Sequence, residues 1–167
     1  MNDISTDTRF MKRALELADI AASLGEVPVG AVAVCDGEIV GEGYNRREVD
    51  KNALAHAEIM AIDAACKRLG GWRLHKCELY VTLEPCTMCA GAIVNSRIKR
   101  VIIGARDAKA GAMGSVLNVN FYPLNHKPET VFGVCETEAR QQLQSFFIRL
   151  REKRKNTDTT GGNENVH

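Results

Sequence analysis

The chain has 167 residues, 45% hydrophobic and 26% charged, with a formal net charge of +1. That balance excludes a disordered polymer, and it excludes a chain that holds nucleic acid through overall charge alone. No apolar run approaches ~20 residues, which excludes a helical membrane span, and the polar start from Met1 to Arg9 lacks the apolar core of a secretion signal.

The six cysteines are therefore expected to be reduced thiols or metal ligands in a cytoplasmic chain. One domain over residues 1–155 is predicted, followed by a disordered polar tail over 156–167.

Residues Thr8 to Leu24 place Phe10, Met11, Ala14, Leu15, Ala18, Ala21 and Ala22 at helical spacing, and Gly25 stops that helix. Val29 to Cys35 is apolar and β-branched. Asp36-Gly37 is a hairpin turn, and Glu38 to Tyr44 is the second strand. Asn45 to Ala53 is polar and irregular. His56 to Leu69 is helical and ends at Gly70-Gly71. Glu78 to Leu83 is the third strand, Thr87 to Asn95 a short helix, and Arg100 to Gly104 the fourth strand.

Ala105 to Lys127 is a long Gly- and Asn-containing connection, of the length that usually carries function. Thr130 to Val134 is a fifth strand and Glu136 to Lys155 a final helix. The order predicts a hairpin followed by a right-handed β-α-β crossover. This is an α/β fold with one mixed five-stranded sheet and helices on both faces. From Arg140 to Lys155 six basic residues face one acid, Glu152. Such a segment is either an electrostatic contact surface or a solvated helix end whose cations suit the dipole.

The chemistry concentrates at Glu84-Pro85-Cys86-Thr87-Met88-Cys89, directly behind the third strand. Pro85 suits the first helical position, which puts Cys86 and Cys89 in one first turn with both sulfurs pointing the same way. A C-x-x-C pair is half of a zinc site, a redox dithiol, or half of a Cys₄ knuckle. No thioredoxin-like βαβ pattern precedes it, and the other four cysteines are isolated.

His56 opens the helix after the second strand; alone it reads as a structural group, but it and the cysteine pair occupy helix starts that follow strands, so they can converge above one sheet edge. Three such ligands leave zinc an open fourth position, as in catalytic sites. Glu58, two residues on, points about 160° away from His56 in a regular helix of ~100° per residue. The two share a site only if His56 caps the helix. Otherwise Glu58 is an ordinary first-turn carboxylate.

His56-x-Glu58 followed by Pro85-Cys86-x-x-Cys89 resembles the signature of the zinc-dependent base and nucleoside deaminases. Glu26-Val27-Pro28-Val29-Gly30-Ala31, Met88-Cys89-Ala90-Gly91-Ala92 and Gly104-Ala105-Arg106-Asp107-Ala108-Lys109 resemble the bacterial tRNA adenosine deaminases in particular, over about Phe10 to Lys155. The resemblance implies a three-layer α/β/α cytidine-deaminase-like fold and one zinc per subunit, held by His56, Cys86 and Cys89. Glu58 is the implied acid–base residue, and the implied reaction is hydrolysis of adenosine to inosine at a tRNA wobble position.

It further implies that Asn45 hydrogen-bonds the nucleoside and that Val27, Pro28 and Val29 wall the base pocket. By the same resemblance Arg106, Asp107, Lys109, Asn125 and His126 surround the pocket, and Phe146, Phe147 and Arg151 face RNA from the last helix. From the residues alone, Asn45 also reads as a turn residue and Val27–Val29 as the start of a strand. Adjacent helix positions diverge, so one of the two phenylalanines belongs to the core.

The implied partners are the tRNA anticodon stem-loop and a second copy in a homodimer. The alternative reaction on the same fold is deamination of a free guanine, cytosine or nucleotide. Asn52-Ala53-Leu54 departs from the Asp-Pro-Thr common in the family.

Overall fold

The computed structural model describes residues 4–160. The elements run α1 (Ile4–Ser23), β1 (Gly30–Cys35), β2 (Glu38–Tyr44), α2 (Ala57–Leu69), β3 (Cys77–Leu83), α3 (Thr87–Asn95), β4 (Arg100–Ala105), a 3₁₀ turn (Val119–Phe121), β5 (Glu129–Phe132) and α4 (Glu136–Thr160). The five strands form one sheet in the order β2-β1-β3-β4-β5. β1 is antiparallel to β2 and β3, while β3, β4 and β5 are parallel. The mixed sheet expected from the sequence is therefore present.

Side-chain alternation along the strands divides the core into two layers. Ala31, Ala33, Leu79, Val81, Val101 and Ile103 meet α2 and α3 on one face. Val32, Val34, Tyr80 and Ile102 meet Phe10, Met11, Ala14 and Leu17 of α1 on the other. α4 joins the α1 layer, where Ala139 packs with Leu15 and Ala105, and Gln142 Nε2 donates to the Leu15 carbonyl at 2.9 Å and to Asp19 at 2.8 Å.

A buried charge cluster ties α1 to the sheet. Arg100 donates to both Asp7 carboxylate oxygens, at 2.9 and 2.7 Å, and Tyr80 Oη lies 2.9 Å from Asp7 and 2.9 Å from Glu78.

The Asp36-Gly37 turn has positive φ at both residues (51° and 79°), the geometry of the tight hairpin expected there. Gly41 and Gly43 on β2 let α2 approach unusually closely. A Cβ at either position would run into the backbone carbonyl of Ala61 or Ala57 respectively. That contact sets the height of the first turn of α2 above the sheet.

Several boundaries differ from the sequence reading: α1 starts at Ile4 rather than Thr8, and β5 runs Glu129–Phe132 rather than Thr130 to Val134. α3 starts at Thr87, two residues after the first helical position that Pro85 suggests, so Cys86 is the N-cap. α4 continues to Thr160, five residues beyond Lys155, because nothing between Asn156 and Thr160 breaks a helix. Residues 161–167 of the expected tail lie outside the described residues. No helix among the described residues is long and apolar enough to cross a membrane.

Candidate metal centre and pocket

Two helix starts build the site. His56 caps α2 with extended backbone (φ −86°, ψ 151°), and Cys86 caps α3 likewise (φ −72°, ψ 177°). Each carbonyl still accepts the first helical bond, from Met60 N at 3.0 Å and from Ala90 N at 2.8 Å. The non-helical cap turns the His56 ring back toward Glu58, as sharing one site requires.

His56 Nδ1 lies 3.7 Å from Cys86 Sγ and 3.6 Å from Cys89 Sγ. All three ligand atoms fall within 4.8 Å of one another. Two tetrahedral bonds of about 2.0–2.1 Å to nitrogen and 2.3 Å to sulfur span about 3.6 Å. One imidazole and two sulfurs at these separations fit a single zinc ion and leave one coordination position for a non-protein ligand.

The charges of the ligand set are shared. The Cys89 thiol and the His56 ring hold the Cys86 thiol far below its ordinary range, at about 3. The same Cys86 contact, with burial, pushes Cys89 up. His56 is raised, first by Cys86 and further by Glu58, against the opposing effect of burial. Zinc binding to this set is accordingly coupled to proton release.

Glu58 is 4% exposed. Burial pushes its carboxyl up to about 6, and the Cys89 thiol hydrogen-bonds to it. A carboxyl poised near neutrality beside a metal triangle is suited to carrying protons in both directions.

The triangle opens into a cavity of about 480 Å³ walled by Val27, Val29, Leu83, Leu143 and Phe147. Asn45 stands at its edge, 7% exposed. Its amide donates to the Val27 carbonyl at 3.4 Å, while its Oδ1 is buried with no partner. An orphaned acceptor in a mostly apolar cavity is a place for a donor on a ligand.

One wall depends on Glu84, itself 2% exposed. Its carboxylate accepts from the backbone N–H of Asp107 (3.0 Å), Met113 (3.1 Å) and Ser115 (2.9 Å), and from the Ser115 hydroxyl. A Cβ at Gly111 would collide with that carboxyl. Asp107 Oδ1 in turn accepts from Lys109 N at 2.9 Å and Ala110 N at 3.1 Å. The 106–117 loop is thus wound around one buried anion.

Residues 4–105 match the family described as the cytidine and deoxycytidylate deaminase zinc-binding region. The tRNA-specific adenosine deaminase of Bacillus subtilis is 48% identical over 153 residues, covering 91% of this chain and 95% of its own. That of Haemophilus influenzae is 50% identical over 151 residues, covering 89% and 87%. A solved structure from work on A-to-I editing by tRNA:A34 deaminases at the wobble position of transfer RNA superposes with a TM-score of 0.80 at 44% identity. The match covers 81% of this chain and 99% of the other.

The chain belongs to the tRNA-specific adenosine deaminase family.

Of the residues singled out in the sequence, His56, Cys86, Glu58, Asn45, Val27, Val29, Arg106, Asp107, Lys109 and Phe147 line this deaminase pocket. Cys89 is buried behind it. Pro28 is buried but does not line it. The two phenylalanines divide as helix geometry requires. Phe146 is in the core and Phe147 is exposed toward the cavity, in an edge-on contact at 5.4 Å. Arg151 lies exposed on α4, one turn past Phe147 and outside the pocket.

Asn125 and His126 are elsewhere. His126 Nε2 lies 2.6 Å from the Ile98 carbonyl, just before β4 begins, whereas the pocket is at the end of β4. β5 runs parallel to β4, so the chain returns the length of the sheet before residue 129, carrying both residues with it.

The sequence reading missed Arg47, Leu143 and the role of Glu84. Leu143 was within reach, standing four residues before Phe147 on the same helix face. The departing Asn52-Ala53-Leu54 closes its own turn, with Asn52 Oδ1 accepting from Leu54 N at 2.9 Å.

Proposed function

We propose that this chain hydrolyses adenosine to inosine and ammonia at the wobble position of a tRNA anticodon. The observation that carries the reading is the convergence of the His56, Cys86 and Cys89 triangle and buried Glu58 on one cavity. The relatives' named activity supplies the substrate class.

When bound by His56, Cys86 and Cys89, zinc supplies Lewis-acid activation of water near neutral pH. Glu58 removes a proton from the attacking water and hands it to adenine N1 as C6 becomes tetrahedral. It then carries the second proton to the departing amine, which leaves as ammonia. Asn45 Oδ1 accepts a hydrogen bond from the bound nucleoside. Val27 and Val29 hold the flipped base against Phe147 and Leu143 and exclude water. Arg106, Asp107 and Lys109 hold the flanking nucleotides, with Arg106 braced 3.8 Å over the Phe132 ring.

Phe146 supports this wall from the core, and Arg151 meets phosphate further along α4. A homodimer in the cytoplasm completes the reading. The exposed apolar side chains of Val116, Phe121, Tyr122 and Leu124 supply surface for a second copy, and Asn125 and His126, at the end of the same segment, belong to that partner-facing side.

The test is incubation of zinc-loaded protein with anticodon stem-loops that do or do not carry wobble adenosine, alongside free guanine and cytosine. Inosine is read by mass. Turnover of a free base, with the adenosine stem-loop untouched, would overturn the substrate assignment.

A further inference from the structure

Segments 67–77 and 95–99 contain six lysines and arginines and no aspartate or glutamate, in a chain of net charge +1. The fold joins them. Leu74 N donates to the Ser96 carbonyl at 2.7 Å and Lys99 N to the Cys77 carbonyl at 3.0 Å. They form the C-terminal ends of α2 and α3, the helices whose N-terminal ends carry the metal ligands. Thirteen residues of α2 separate the two ends by about 20 Å.

At the centre of this basic surface stands Trp72, 51% exposed. The Arg73 guanidinium lies 4.1 Å from its ring centroid and that of Arg97 5.9 Å. Arg97 is fixed by donating to the Val94 and Asn95 carbonyls, at 2.8 and 3.2 Å.

Neighbouring acids neutralise one of the six cations and leave the rest. Asp63 pairs with Lys67, and Glu78 and Glu129 face Arg100. Asp36 and Glu38 mark its boundary at the hairpin tip, across the Cys35–Cys77 register. Helix C-termini favour cations, which accounts for Lys67, Arg68 and Arg97. It does not account for a half-exposed indole with guanidinium groups at 4.1 and 5.9 Å from its ring centroid.

We infer that Trp72, with Arg73 and Arg97, is a second RNA-contact surface, taking the sugar–phosphate backbone and a stacked base of the tRNA outside the nucleotides in the pocket. An aromatic face framed by guanidinium groups suits single-stranded or helix-end nucleic acid: the ring stacks and the cations meet phosphate. The inference rests on the tRNA-deaminase reading and extends it to a site that takes no part in the chemistry.

Trp72 is the only tryptophan in the chain, so its emission reports the surface directly. Zinc-loaded protein is titrated with full-length tRNA carrying wobble adenosine, and binding is followed in parallel by anisotropy of labelled tRNA. Tryptophan emission should be quenched with the same Kd. Trp72→Ala and Arg73→Gln should weaken binding about fivefold or more. Arg73→Gln should lower the log–log salt slope by about 0.7–0.9, and Trp72→Tyr should restore binding. Single-turnover inosine formation at saturating tRNA should stay within twofold of native.

If Trp72→Ala does not fold, the native titration and Arg73→Gln decide. Unquenched Trp72 emission at saturating tRNA overturns the inference, as does native affinity in Arg73→Gln. Failure of the native protein to make inosine overturns the functional reading alone, because the binding arms still report on Trp72.

Discussion

Replacing Glu84 by glutamine keeps size and shape but removes the anion that organises the 106–117 loop. The native carboxylate divides its acceptors: Oε1 takes Met113 N and Ser115 N, and Oε2 takes Asp107 N and the Ser115 hydroxyl. An amide has one oxygen. Placed toward Met113 and Ser115, it turns its NH₂ on the Asp107 N–H, which then has no acceptor. Reversed, it leaves two backbone N–H groups unpaired. Hydrogen bonds to charged groups contribute about 1.5–3 kcal/mol each, against about 1 for neutral ones.

Losing one such bond and the charge on the others should cost about 2–4 kcal/mol. Asp107 also holds Lys109 N and Ala110 N, so the pocket wall should loosen as a unit. Denaturant unfolding of the zinc-bound protein measures the loss, and amide hydrogen exchange locates it at residues 107, 113 and 115. KM for the stem-loop should rise with zinc content unchanged. A stability loss below about 0.5 kcal/mol with those amides still protected would show that something other than the carboxylate holds the loop.

Glu58→Gln should retain zinc and RNA binding but lower single-turnover inosine formation by about 10²–10⁴, the usual worth of a general acid–base group; a rate within tenfold of native would remove Glu58 from the proton pathway. Cys89→Ala should lose zinc by elemental analysis and melt markedly earlier, because ligand binding is coupled to folding; full zinc occupancy in this variant would refute the ligand set. Asp7→Asn should cost about 3 kcal/mol by breaking a buried pair. Burial alone would raise the Asp7 carboxyl, but Arg100 and Tyr80 hold it below its ordinary 3.8. The native advantage should therefore be full above that pH and disappear as pH falls beneath it. An advantage that persists unchanged in strong acid would disprove the pairing.

What could be read from the sequence was local. The apolar runs Val29–Cys35 and Glu78–Leu83, the Asp36-Gly37 turn and the glycine stops gave the elements within a few residues. The cap requirement on His56 followed from helix geometry alone. Contacts between distant segments left no such trace. Glu84 finds its donors 23 to 31 residues away, in backbone amides that carry no side-chain signature. Asp7 and Arg100 are 93 positions apart. The family resemblance set His126 beside the pocket, whereas within this chain its ring meets the Ile98 carbonyl at the other end of β4. The parallel sense of β5 decides it, and the connection from residue 106 to residue 128, which holds no α-helix, left that sense open in the sequence.

The strand order β2-β1-β3 has a bearing on how the metal is acquired. The Cys86–Cys89 half of the triangle is assembled by a single short segment at the end of β3, while His56 arrives at the end of β2. β1 lies between them. A refolding chain therefore offers an ion two sulfurs from one local segment, and the imidazole joins them only after β1 has zipped to both neighbours. Tight uptake of zinc should trail hairpin docking, making the ion a timekeeper for completion of the central sheet, and chelator-resistant zinc a stopwatch for that step in refolding.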